Sequence, residues 1–384
     1  MSKSFDAIVL GVGSMGAPAC YYLASRGYTV LGLEQFDIPH DQGSHAGQSR
    51  IIRKAYFEHS DYVPLLERAY ANWKSFEQLT GSQLYFPTGL LYAGTSDGLL
   101  LKGVKESAAR FNIPLESISA IKDRFHQFNL PDSYEVMFEP DAGFLTPERA
   151  IVTYAEQALV AGAELHTKEP VLEWKPEGSG IQVKTNRGVY TSQSLVITAG
   201  PWASNFIPAL APKLKVTRQV IGWVNPKQRA PFQLGNFPCW MVDDSQPGMY
   251  YGFPVLPVGK FGGPIGLKVA HHYPGTPVNP DQVNRNVSTA EEELLVNAIK
   301  RILPQGYGST HTLKTCLYTN TPDENFIIDY LPGYDNRVAI AAGFSGHGFK
   351  FSSAVGEVLA DLAMGKTINL PIGFLGINRF MTSH

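Results

Sequence analysis

Four groups of residues in this 384-residue chain have types and spacings that could do chemistry. The first centres on Cys316, in Leu313-Lys-Thr-Cys-Leu-Tyr-Thr-Asn-Thr-Pro-Asp-Glu-Asn-Phe-Ile-Ile-Asp329. A thiol can form a covalent link to a bound group. The second is the pair Arg50 and Arg53. A guanidinium binds a carboxylate bidentately, and two of them three residues apart would share a face if the segment were helical. The third is Gly266-Leu-Lys-Val-Ala-His-His272, apolar around Lys268. Strand alternation puts Lys268, Ala270 and His272 on one face, and a Lys and a His facing a cavity are costly unless paired or used. The fourth is Ala342-Gly-Phe-Ser-Gly-His-Gly-Phe-Lys-Phe-Ser-Ser353. Its glycines 343, 346 and 348 make a loop able to approach a flat ring. The helix that follows, with Lys350, would stabilise negative charge on that ring. One cysteine alone supports nothing. The other groups have plainer readings: a solvated basic patch with Lys54, an edge strand with an edge lysine, and a glycine-rich turn before a helix.

What could bring these groups together is legible at the N-terminus. Ala7-Ile-Val-Leu10 is a short apolar run of the kind found in buried parallel strands. Gly11-Val12-Gly13-Ser14-Met15-Gly16 follows, then a helical stretch from Ala17 to Ser25, Gly27, a second strand Tyr28–Leu33, and Glu34. This is a dinucleotide fingerprint in its required context. Gly11 allows the tight turn, Gly13 lets the backbone approach a pyrophosphate, and Gly16 allows close helix–strand packing. The helix N-terminus supplies N–H groups and a positive dipole end, and Glu34 would bind ribose hydroxyls. The motif itself does not choose between FAD and NAD. Ile197-Thr-Ala199-Gly200-Pro-Trp202 tips the balance to FAD, because a late strand ending in Ala-Gly beside an aromatic is a common second contact for FAD in amine oxidases. An ordinary strand end is the alternative there.

Farther along, Tyr62–Leu79, 98–112, 147–161, Thr289–Ile302 and Ser352–Met364 read as helices. A hairpin runs from Ile181 to Tyr190, Ser194–Gly200 and Val338–Ala342 read as core strands, and residues 216–273 read as aromatic-rich sheet. Nucleotide-binding pieces alternate with sheet regions. The expected fold is therefore α/β: a discontinuous Rossmann-like FAD-binding domain (1–85, 145–215, 315–384) interleaved with a mixed-sheet substrate domain (86–144, 216–314). Apolar residues make up 44% and charged residues 17%, and the formal net charge is −2, which gives no reason to expect nucleic acid or a membrane surface as partner. No apolar run reaches the length of a membrane span, and the start lacks the apolar stretch of a signal peptide, so neither is expected. The end, Met-Thr-Ser-His, does not match a Ser-Lys-Leu peroxisomal address, so none is expected. Three separated cysteines, in no metal-binding spacing, suit a reducing compartment, so the cytoplasm is expected and no metal is.

Taken together, these residues resemble the sarcosine oxidase family of flavoproteins, in its monomeric branch, which includes N-methyltryptophan oxidases. The matching motifs are Gly43-Ser-His-Ala-Gly-Gln-Ser-Arg-Ile-Ile-Arg-Lys-Ala-Tyr56, Tyr250-Tyr-Gly-Phe-Pro254, Gly266-Leu-Lys268, the Cys316 segment and the Phe344–Phe351 loop, so the resemblance runs almost end to end. It implies FAD bound through its 8α-methyl group to Cys316, with Tyr318 near the flavin. It implies that Arg53 and Lys350 bind the substrate carboxylate, that Arg50 and His45 are tied to flavin attachment, and that Lys268 activates oxygen. Tyr251 and His272 correspond to cavity residues, with Met241 a less secure match. The same resemblance puts Gln35, Ser44, Ser49, Val171, Leu317, Phe344, Gly346, His347, Gly348 and Phe349 around the cofactor. This chain departs from the family's His-His-Gly-Asp-Thr-Arg at Ala46, Gln48 and Ser49, and carries Lys54 where a His is usual. After Lys268 its Val-Ala-His-His-Tyr-Pro matches neither subfamily.

The implied activity is oxidation of N-methyl amino acids by a monomer, giving an imine, then formaldehyde, the primary amino acid and hydrogen peroxide. N-Methyltryptophan, a cyclic imino acid such as pipecolate or proline, and fructosyl amino acids are rival substrates. A flavin dehydrogenase using an acceptor other than oxygen is a rival of a different class, and a non-catalytic flavin-binding protein is a third.

Overall fold

The computed structural model describes residues 3–119, 121–244, 248–272 and 275–381. Tyr273-Pro274, part of the segment that departs from the family pattern, and the Thr382–His384 end lie outside the described residues.

The run Ala7–Leu10 has no polar alternation, so both faces of its strand must be covered. Strand Lys3–Leu10 accordingly runs parallel to and between Val30–Leu33 and Val189–Ile197, inside an eight-stranded sheet. Val338–Ala342 pairs parallel on the far side of Val189–Ile197, and Ile327–Tyr330 then pairs antiparallel with it. The hairpin Val171–Glu177 with Gly180–Thr185 extends one edge, so the sheet is mixed. Helices Gly16–Ser25, Pro147–Val160 and Ser352–Ala363 pack together over it. A Cβ on Gly356 would meet the Pro18 Cβ at 2.3 Å, so the two helices cross where only a glycine fits.

A nine-stranded sheet forms the second layer, built from segments between Leu90 and Asn320. Alternation sorts its residues. Along Leu267–His272, Leu267 and Val269 pack into a core with Leu295 and Ile299 of helix Thr289–Ile302. Ala270 turns the other way, to a cluster of Ile221, Trp223, Cys316 and Tyr318. The helix starts with a Ser288–Glu291 capping box. A small sheet of Arg50–Ile52, Gly143–Leu145 and Tyr85–Phe86 completes the framework. Among the described residues no helix is long and apolar enough to cross a membrane.

Two expectations change. Arg50 and Arg53 do not share a helical face, because Arg50–Ile52 is a strand, held against Gly143–Leu145. The β-branched pair Ile51-Ile52 favours extension, and the pairing is long-range. The expected domain boundary at 315 falls inside strand Ser309–Asn320, which belongs to the nine-stranded sheet.

Candidate functional site

A cavity with about 1540 Å³ of empty space, counted to its open mouth, is lined by strands of both large sheets. At one end stands the glycine fingerprint, with Gly11, Gly13, Ser14 and Met15 in the wall. Gly11 has φ +91°, and a Cβ there would meet Thr198 O at 2.6 Å, so protein packing demands it. Gly16 is also required by packing, since its Cβ would lie 1.8 Å from Gly11 O. Gly13 is different: a Cβ there would meet no protein atom within 4 Å. Its bareness serves the cavity. Glu34 and Gln35 line the same end. The Glu34 carboxylate accepts from the backbone N–H groups of Val12 (2.9 Å) and Phe36 (3.0 Å), which orients it; burial raises its pKa, and these bonds hold it back. Ser44, His45, Val171, Ala199, Gly200 and Trp202 complete this end, and the Trp202 indole N–H donates to Asp281 at 2.6 Å. His45 Nε2 is buried with no hydrogen-bond partner. Burial, and then His40, lower the His45 pKa to about 4.

The other end collects Arg50, Arg53, Tyr251, His272, Leu317, Tyr318, Phe344, Gly346, His347, Gly348, Phe349 and Lys350, with Met241 beside them. Two of the loop glycines are used against protein rings: Cβ atoms on Gly346 and Gly348 would meet Tyr318 and Phe344 at 2.3 and 2.4 Å. A short 3-10 turn, Phe349–Phe351, precedes the helix expected directly after the loop.

Arg53 is buried, with its guanidinium 4.3 and 4.6 Å from the Tyr56 and Phe57 ring centres. Its Nη2 donates to both oxygens of Glu58, each at 2.7 Å. Burial alone would raise the Glu58 pKa, but Arg53, His347 and Lys350 outweigh it and hold the carboxyl down at about 2. Lys350 Nζ donates to His347 O at 2.7 Å and to the Tyr56 hydroxyl at 3.4 Å. Burial and the Arg53 charge lower Lys350 to about 7, against the pull of Glu58. His272 Nδ1 lies 3.4 Å from the Tyr318 hydroxyl, and burial lowers its pKa to about 3. Arg50 donates to Ser44 O (3.0 Å), Ala46 O (2.6 Å) and Ser49 O (2.9 Å), stapling the loop it terminates.

Sequence reasoning missed Glu58, Tyr56 and His40. Glu58 had a signal: it is a carboxylate five residues after an arginine, in an otherwise aromatic run, Ala55-Tyr-Phe-Glu58. In the other direction, five expected residues are absent from the lining: Val12, Gly16, Ser49, Lys268 and Cys316. Lys268 is 1% exposed, and its Nζ donates to Gly47 O (2.6 Å), Ser49 O (2.7 Å) and Ser49 Oγ (3.3 Å), so it faces a loop and not the cavity. Burial and the Arg50 charge push its pKa well down. Cys316 is 2% exposed and lies outside the lining, to which its neighbours Leu317 and Tyr318 belong. Burial raises its thiol pKa, while Arg50 and Lys268 draw it back.

A family model described as FAD dependent oxidoreductase matches residues 6–362. This chain belongs to that family. Among curated relatives, monomeric sarcosine oxidase from Streptomyces avermitilis is 37% identical over 382 residues, covering 99% of this chain and 98% of its own. That of Bacillus sp. strain NS-129 is 39% identical over 386 residues, with 99% and 98% covered. N-methyl-L-tryptophan oxidase from Yersinia pestis strain Pestoides F is 34% identical over 379 residues, with 98% and 99% covered. The fold is shared with NikD, described as an unusual amino acid oxidase essential for nikkomycin biosynthesis, at a TM-score of 0.85, 24% identity and 98% coverage of both chains. The resemblance to the monomeric sarcosine oxidase and N-methyltryptophan oxidase branch, the α/β fold and the assignment as an FAD-dependent amine oxidoreductase are thereby borne out. The cavity fits the family's cofactor on its own terms. An unfilled Gly13, a backbone-oriented Glu34 and His45, with its unpartnered Nε2, all belong to its lining.

Proposed function

We propose that this flavoenzyme oxidises small secondary amino acids of the N-methyl type, with oxygen as acceptor. The observation that carries the reading is the Arg53–Lys350 pair. Two buried basic side chains face one end of the cavity, with Glu58 matched to the arginine. Buried cations are costly without anions, so a ligand carboxylate here gains more than it would in water.

FAD, when bound, supplies the two-electron acceptor for the carbon–hydrogen bond beside the amine nitrogen. Gly11, Gly13, Glu34, His45, Ala199 and Trp202 would hold it, and we assign Cys316 as its covalent anchor, on the same sheet face as Tyr318 and next to the lining. Arg53 and Lys350 orient the substrate by its carboxylate. A carboxylate arriving at Lys350 favours the charged lysine and draws a proton onto it. His272 stays neutral at ordinary pH, so it presents a hydrogen-bonding ring to the amine without adding charge. Tyr251 and Met241 close the apolar side. For an N-methyl substrate, water then adds to the imine and releases formaldehyde and the primary amino acid, while oxygen leaves as hydrogen peroxide. Lys268 is assigned to the oxygen step as a charge standing behind the lining, close enough to Arg50 and Cys316 to act on them without touching the cavity. The two interleaved segments sets act as cofactor and substrate halves of a monomer.

A panel of sarcosine, N-methyltryptophan, pipecolate, proline and a fructosyl amino acid, read by peroxide release and by anaerobic flavin bleaching, tests the reading. Peroxide and formaldehyde from sarcosine support it. Bleaching without peroxide would move the enzyme to the dehydrogenase class, and no bleaching with any member would remove the amine oxidase assignment.

A further inference from the structure

Gln48 is 7% exposed and has φ +70°, a region that non-glycine residues rarely occupy. The Ser49 N–H donates to Gly47 O at 2.8 Å, closing a γ-turn on Gln48 in its rare positive-φ form. Such strain persists where the surroundings over-determine it, and it concentrates at functional sites. The surroundings here do so. Glu148 Oε1 accepts from the N–H groups of Gly47 (2.6 Å) and Gln48 (3.0 Å). The Gln48 amide donates to Gly262 O (2.9 Å) and Pro264 O (3.2 Å) and accepts from the Trp223 indole N–H (3.0 Å). The orientation of that amide is fixed, because an indole N–H only donates and a carbonyl only accepts.

The turn has one evident customer. Lys268 Nζ donates to the carbonyls on both sides of Gln48, Gly47 O and Ser49 O, and lies 5.6 Å from the Trp223 ring centre. The segment that Gln48 grips, at Gly262 and Pro264, leads directly into the strand carrying Lys268. We propose that Gln48 is a positioning residue for Lys268: by locking the γ-turn, it aims two carbonyl oxygens at the ammonium and fixes where that charge stands. Arg50, Glu148, Cys316 and Cys239 are the other titratable groups acting on Lys268. None of them is held by the Gln48 side chain. The proposal rests on the assignment of Lys268 to the oxygen step.

The test uses the holoenzyme with rapid mixing, following anaerobic flavin reduction by sarcosine, or by the best panel substrate, separately from reoxidation by oxygen. Gln48→Gly keeps the positive φ and removes the clamp; Lys268→Met is the reference. Gln48→Gly is expected to slow reoxidation about tenfold, the worth of ~1.4 kcal/mol in a barrier, while reduction changes less than about twofold. The pH at which reoxidation falls off is expected to move down by about one unit, because the two carbonyls are no longer held on the charged lysine. If Lys268→Met slows reoxidation but Gln48→Gly leaves rate and pH profile as in the parent, the inference fails and the Lys268 assignment stands. Equal loss of both half-reactions in Gln48→Gly makes Gln48 merely structural and also overturns it. Should Lys268→Met reoxidise normally, the assignment itself falls and takes the inference with it. If Gln48→Gly yields no folded flavoprotein, Trp223→Phe, which removes one partner of the amide, decides by the same readings.

Discussion

Carboxylate binding should track the charge on Lys350. Its pKa is lowered to about 7 from an ordinary 10.5, by burial and by Arg53. Other cavity groups with large shifts sit outside the working range: Glu58 at about 2, His272 at about 3, His45 and His347 at about 4. A carboxylate prefers the charged lysine, so affinity is full below the free-enzyme value and falls as pH rises through it. A lysine with pKa 7 is only about 1% protonated at pH 9, and each pH unit above 7 therefore costs about tenfold, until the Lys350 contact is wholly lost. A hydrogen bond to a charged group is worth ~1.5–3 kcal/mol, so the fall should level off between about tenfold and about a hundredfold, where Arg53 alone holds the ligand.

The measurement is a flavin-absorbance titration with methoxyacetate, which has no amine to titrate, from about pH 6 to about pH 9. Calorimetry in two buffers of different ionisation enthalpy would report uptake of about half a proton at pH 7 and between ~0.4 and ~0.8 at pH 8, as linkage requires for a free pKa of about 7 raised by about one to two units in the complex. Lys350→Met should bind weakly at every pH, with no proton uptake. Lys268→Met is the necessary control, because burial lowers that lysine too; it should keep the parent profile. A flat affinity across this range in the parent protein, or a profile that disappears in Lys268→Met, would refute the argument.

Cys316→Ser is expected to fold and bind flavin, but acid precipitation should free the flavin that stays with the parent protein; flavin still attached would put the anchor elsewhere. Gly13→Ala meets no protein atom, so it should leave apoprotein stability within about 0.5 kcal/mol while lowering flavin occupancy in the Cys316→Ser background; Gly11→Ala, which drives a Cβ against Thr198 O, should destabilise the fold itself, and urea unfolding separates the two. Arg53→Ala leaves Glu58, largely shielded from solvent, without its main partner, and breaking such a pair costs up to ~3–5 kcal/mol. Adding Glu58→Gln should recover part of that stability but none of the carboxylate binding; recovery of both would remove Arg53 from the binding site.

What the sequence shows and what it conceals divide along the range of the forces involved. The fingerprint was legible because its demands are local: Gly11 must turn, Gly16 must let a helix approach, and both needs are met within a few residues. The one-face placement of Lys268, Ala270 and His272 was legible for the same reason, since alternation is a property of any strand. Alternation does not say what stands opposite each residue. His272 opens on the cavity while Lys268 meets Gly47 and Ser49, a loop more than two hundred residues earlier in the chain. Arg50 and Arg53 misled because a spacing of three fits a helix, and only pairing with Gly143–Leu145 makes the segment extended.

The same limit explains the segment from Ser44 to Glu58, which carries much of the site on little regular structure. Such a segment must be held from outside, because its own backbone bonds are too few to fix it. Two carboxylates, one half-buried and one buried, do this. Glu148, in the first turn of helix Pro147–Val160, takes the N–H groups of Gly47 and Gln48. Glu139, at the end of strand Glu135–Glu139, takes those of Lys54 (2.7 Å) and Ala55 (3.2 Å), and also the Tyr92 hydroxyl at 2.6 Å. One carboxylate thus anchors the turn that holds Lys268, and the other anchors the chain beside Arg53. Charge follows the same division. Both cationic centres depend on anions delivered by elements outside the segment or, for Arg53, on Glu58 at its far end. The segment can therefore place cations in a low-dielectric wall with only the short strand Arg50–Ile52 of its own, because its key N–H groups at Gly47, Gln48, Lys54 and Ala55 are answered by carboxylates on rigid structure.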